Sequence, residues 1–151
     1  MAEKFTAEEI GRWDRWFAVE MNNLAWGLAE KPARTKGEEE AMVHAAHAAA
    51  AHWGRIGGEL ERARADMLLG HAHALAGNGS LAMKYARRCH HYFAVREFPD
   101  WEIAFVHAVL ANAARAAGEE ALYAEQAALA ERAGEAIADK GDREAFERTF
   151  G

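Results

Sequence analysis

The chain holds a single cysteine, Cys89, in 151 residues. An internal disulfide is therefore excluded, and a lone thiol suits a reducing compartment. Only 2 prolines occur, and runs of valine, isoleucine and threonine of the kind that build strands are missing. No stretch of 18 or more apolar residues exists, so no membrane-spanning helix and no membrane partner are expected. The opening Met1-Ala2-Glu3-Lys4-Phe5 lacks the apolar segment of a signal peptide, so the expected location is cytoplasmic. Basic charge is also short: 18 Lys and Arg face 24 Asp and Glu, a net charge of −6. A nucleic-acid partner normally requires a basic face, so none is expected.

What the chain does have is alanine, aromatics and histidine. The hydrophobic fraction is 51%, much of it alanine, the best helix former but a thin core filler. Bulk must come from the 5 Trp, 7 Phe and 3 Tyr. The length fits one domain, spanning residues 1–151. The expected fold class is all-α, with six to seven helices in antiparallel hairpins.

Local signals set the helices. Thr6-Ala7-Glu8-Glu9 is a capping box opening a helix over about 7–30, with Trp13, Trp16, Phe17, Glu20, Leu24 and Leu28 at helical spacing. Pro32 and Gly37 mark a connection, and Thr35 with Glu38 repeats the capping pattern for a helix over about 36–53. Gly54, Gly57 and Gly58 make a break before a third helix over about 59–76. Gly77-Asn78-Gly79-Ser80 reads as a turn, with glycine ending one helix and Ser80 capping the next, over about 81–96. Phe98-Pro99-Asp100 restarts the chain with Asp100 as N-cap, and Ala117-Gly118 closes that fifth helix. A sixth is expected over about 119–138, and Asp142 is expected to cap a short seventh carrying Phe146 and Phe150.

The pair from about Glu59 to Arg96 carries Leu69-Gly70, His73, Gly77, Ala82, Ala86 and Cys89. That pattern resembles the tetratricopeptide motif, in which small residues let two helices approach and larger ones fill the gap between hairpins. Histidine stands at 73 where the family usually has tyrosine, and Asp66 where it often has tryptophan. A second copy runs through Leu110-Ala111, Ala114, Gly118, Ala127 and Ala130. Leu24, Leu69 and Leu110 are spaced 45 and 41 residues apart, against about 34 in the strict repeat. The full chain also looks like a set of uncharacterised bacterial proteins of tetratricopeptide-like fold, through Asn22-Asn23-Leu24-Ala25-Trp26, His44-Ala45-Ala46-His47, Ala63-Arg64-Ala65 and Ile137-Ala138-Asp139. The resemblance implies a right-handed stack and carries no established activity. It also implies a concave face built from the first helix of each hairpin, on which Asn22, Trp26, Arg64, Met67, His71, Asn112 and Arg115 would lie. Such polar groups with an aromatic suit a peptide carboxylate or a small acidic ligand.

Histidine is the other candidate chemistry. His44 and His47 stand three apart and share a helix face. A metal site needs at least a third ligand, and neither Glu-x-x-His nor His-Glu-x-x-His occurs. No metal or other cofactor is therefore expected. Asp66 and His73 share a face and could pair, but no nucleophile accompanies them. Cys89 falls on an apolar stripe and reads as a buried hydrophobe, and His107 as a packed core residue. Glu20, between Trp16 and Leu24, reads as a structural partner for Arg64 rather than as a catalytic acid.

These features favour a non-enzymatic protein- or peptide-binding module, with no catalytic residues assigned. The alternative is a histidine-lined pocket formed by Glu20, His44 and His47, binding a small molecule or metal and conceivably an enzyme. Self-association into a homodimer is expected through aromatics of the first and last helices, such as Trp13 and Phe150.

Overall fold

A computed structural model describes residues 3–151. Among the described residues there are seven helices and no strand. They are α1 (Ala7–Ala29), α2 (Lys36–Ile56), α3 (Glu59–Leu75), α4 (Gly79–Ala94), α5 (Asp100–Ala116), α6 (Glu120–Glu135) and α7 (Lys140–Phe150). No helix is long and apolar enough to cross a membrane among the residues described.

Both capping boxes form. The Thr6 hydroxyl accepts from the Glu9 amide and the Glu9 carboxylate accepts from the Thr6 amide; Thr35 and Glu38 repeat the exchange. Arg34 closes the other end of α1 by donating to the carbonyls of Ala29 and Lys31 at 3.1 and 3.0 Å. Three expected caps differ. Helix α4 begins at Gly79, so its N-cap is Asn78 and Ser80 already lies in the first turn. Pro99 is the N-cap of α5, and Asp100 instead accepts a tertiary hydrogen bond from the Ala138 amide at 3.0 Å. Helix α7 is capped by Asp139, whose carboxylate accepts from the Asp142 amide at 2.8 Å. Gly77 and Gly118 take φ of +78° and +76° at the ends of α3 and α5, a conformation that side-chain-bearing residues resist.

The helices pack in hairpins, α1 with α2, α3 with α4 and α5 with α6. Helices α1, α3 and α5 also touch in sequence, while α2 nests on α3 and α4 on α5. Two apolar cores result. One joins α1, α2 and α3 through Ala25, Met42, Ala46, Leu68 and Leu69; the other joins α3, α4 and α5 through Met67, Ala86, Phe93, Val106 and Val109. Each large side chain so buried contributes about 1.5–3 kcal/mol. Alanine sets the close spacing. At Gly70 an added Cβ would lie 3.1 Å from the Ala86 amide nitrogen and 3.1 Å from Val109, so α3 meets α4 and α5 closely there and a methyl group would fit only if they gave way by a few tenths of an ångström.

Helix α7 behaves differently. It buries none of its residues and packs on α5 and α6. Its Phe150 meets His71 of α3, with ring centres 5.3 Å apart, and its Arg148 approaches Glu30 beyond α1 at 4.0 Å.

Candidate functional site

Between α3, α5, α6 and α7 lies a cavity of about 750 Å³, within the range that holds small ligands. His71, Asn112, Arg115, Tyr123, Phe146 and Phe150 line it, with Glu131, Glu135 and Glu147 also on the wall. A second space of about 210 Å³ shares His71, Asn112 and Arg115. Helix α7 makes one wall by laying Phe146 on the α6 backbone at Gly134. An added Cβ there would come within 2.4 Å of that ring, so glycine is what allows α7 to settle so close.

The chemistry of the site centres on His71. The residue is 3% exposed, and its ring stacks on Trp26 at 5.2 Å. Burial, and then the nearby Arg34 cation, push its pKa from 6.5 down to about 4. It is therefore neutral near pH 7, with one N–H and one lone pair to satisfy. Among the described residues its Nδ1 has no hydrogen-bond partner, a state that costs about 1–3 kcal/mol in a buried group. Asn112 sits one turn before Arg115 on α5 and accepts from its guanidinium at 3.4 Å. The same guanidinium lies over the Tyr123 ring at 5.4 Å. A cation, an amide and a neutral imidazole thus face an aromatic wall.

The structure brings three of the seven concave-face candidates, His71, Asn112 and Arg115, into this cavity. Trp26 backs it by stacking on His71. The other three lie elsewhere. Met67 is core, 4% exposed. Asn22 is half-buried and donates to its neighbour Asn23. Arg64 donates through Nε and Nη2 to both oxygens of Glu102, at 2.8 and 3.0 Å. Glu102 is fully buried, so the expected pairing of Arg64 with Glu20 is replaced by this one. Glu20 is exposed and makes no ion pair among the described residues.

The alternative set of Glu20, His44 and His47 does not converge on either cavity. His44 is exposed. His47 instead meets His73 with Nε2 atoms 2.8 Å apart. The Asn78 amide donates to His73 Nδ1 at 3.1 Å, which leaves the His73 proton on Nε2, donated to His47. Burial first, and then neighbouring positive charge, lower the pKa of both rings. Asp66 pairs with Arg88 at 3.3 Å, not with His73. His107 donates through Nδ1 to Gln126 at 2.8 Å. Among the described residues no group of three or more His, Cys, Asp or Glu is placed to hold a metal ion.

One cluster escaped the sequence. Asp14 on α1 is 6% exposed and receives His52 Nδ1 at 2.7 Å and Arg55 Nε at 2.9 Å. Those hydrogen bonds, His52 first, hold its carboxyl below the usual carboxylate range. The pair clamps α1 onto α2. No protein-family model, curated protein or solved structure matches this chain.

Proposed function

We propose that this chain is a non-enzymatic binding module of tetratricopeptide-like build, which takes a short peptide segment into the cavity between α3, α5, α6 and α7. The observation that carries this is the cavity itself, in which Arg115 and Asn112 stand beside Phe146, Phe150 and Tyr123 with the buried His71 ring behind them. His47, His73 and His107 all have partners, so His71 stands apart from the chain's structural histidines. Arg115 and Asn112 offer the donors that suit a carboxylate, and Phe146, Phe150 and Tyr123 offer the apolar contact that a flanking side chain needs. Carboxylates line the cavity, but among the described residues no hydrogen bond joins a lining hydroxyl to a lining base, and Thr149 donates instead to the Ala145 carbonyl, which favours binding over turnover. The buried thiol of Cys89 suits a reducing, cytoplasmic setting.

A peptide array followed by fluorescence titration tests this. Selected peptides should bind with a free carboxylate and lose about tenfold or more in affinity as the corresponding amide, or when Arg115 is replaced by Ala. Binding that ignores both changes would refute the site. Occupation of this cavity by a small molecule, in place of the Glu20, His44 and His47 pocket, is favoured if N-acetyl amino acids bind as tightly as the longer peptides.

A further inference from the structure

Helix α1 carries a stripe of apolar side chains that the described residues leave largely open, with only Phe17 partly covered where it stacks on His52. Ile10, Trp13, Trp16, Phe17 and Leu24 are 38, 53, 54, 37 and 45% exposed. The face beside it, through Asp14, Ala18 and Ala25, is buried against the fold. The stripe has a topological cause. Helix α3 is covered by α1 and α2, and α5 by α3 and α4, but no hairpin precedes α1 among the described residues. The stripe is therefore the open end of the stack. Phe150, the other aromatic expected there, is turned inward against Phe105 and His71, so α1 alone supplies the surface.

We infer that this stripe is a self-association surface, on which α1 of a second copy packs antiparallel across a twofold axis near Trp16 and Phe17. Two arguments select a second copy. The first is area. From the usual areas of such side chains, the five leave about 500 Å² open per copy, or about 1,000 Å² in a pair. With a polar rim added, that reaches the range of about 1,200–2,000 Å² typical of stable interfaces.

The second argument is charge. The one acidic residue within the stripe is Glu20, and Arg12 borders it; both are exposed and neither makes an ion pair among the described residues. In the antiparallel crossing Glu20 sits about 5 Å along the axis from the centre, and Arg12 of the second copy about 7 Å along in the same direction. Two symmetric ion pairs form, which gives an isologous contact its register. The surface uses no residue of the cavity, so it stands or falls independently of the ligand.

Sedimentation equilibrium of the full chain tests the inference. The native chain is expected to dimerise reversibly at micromolar concentrations, and Trp16→Glu to be monomeric with an unchanged circular-dichroism spectrum and melting profile. Glu20→Arg sets like charges opposite each other twice and should weaken dimerisation about tenfold. Mixing Glu20→Arg with Arg12→Glu should restore it as a heterodimer. A native chain that stays monomeric to about 100 µM, a dimer that survives Trp16→Glu, or a mixture that fails to rescue would each overturn the proposal. A monomer that instead binds neutral phosphatidylcholine vesicles through α1 would overturn it in favour of a membrane surface.

Discussion

Replacing His71 with Phe probes the cavity wall and the fold at once. In the unfolded chain a histidine takes up a proton near pH 6.5, whereas burial holds folded His71 at about 4. Between those values the unfolded state binds the proton and the folded state refuses it. Stability from this residue is therefore fully present above about pH 7 and is lost as pH falls toward 4. One pKa unit is worth about 1.4 kcal/mol, so the full loss is about 3 kcal/mol, and about 2.5 kcal/mol of it lies between about pH 7.5 and pH 4.5. Phenylalanine keeps the stacking on Trp26 and Phe150 and cannot titrate. It also removes the unpartnered Nδ1, which should raise stability near pH 7.5 by about 1–3 kcal/mol. Urea unfolding of both proteins at the two pH values reads the difference directly, because the carboxylates and the other histidines contribute equally to each. The reasoning is refuted if the two proteins lose the same stability on acidification, or if His71→Phe is less stable than the native chain at neutral pH.

Arg64→Ala leaves the buried Glu102 carboxylate without its cation. Urea melts should show a loss of about 2–4 kcal/mol, toward the lower part of the buried-pair range because nearly half of the Arg64 side chain is open to water. A loss below about 0.5 kcal/mol would show that the pair carries no weight. Gly134→Ala puts a methyl group into the Phe146 ring and should cost about 1–3 kcal/mol. The effect should be concentrated in α7, seen as faster amide hydrogen exchange over Lys140–Phe150 with α2, α3 and α4 unchanged. Uniform loss of protection along the chain would contradict that localisation.

The helices were legible because their signals are local. Thr6 and Thr35 cap as expected, since each needs only a glutamate three residues on. The caps that moved did so for different reasons: Asp100 is drawn into a tertiary bond with Ala138 thirty-eight positions away, whereas Asp139 caps α7 locally by accepting from the Asp142 amide. Site residues divided the same way. His71, Asn112 and Arg115 are the three residues that the resemblance implied for a concave face and that the cavity brings together. Glu102 was missed, although a lone carboxylate between Trp101 and Ile103 in an apolar helix is a signal in itself. The Asp14 cluster joins residues 38 and 41 positions apart, beyond anything periodicity reports. The Phe146 and Phe150 stripe was visible too, but its destination depends on Gly134 of another helix.

Each helix packs its backbone only on helices one or two places away in sequence, and that bears on how the chain reaches its fold. Short loops close before distant segments need to meet, which keeps the entropy cost of each step small and favours rapid folding. In such a linear array folding can start in any hairpin and spread along it. The α3–α4 pair, with Gly70 against Ala86 and Phe93 in its core, is the natural starting point. Helix α7, with no buried residue, would dock last and let go first.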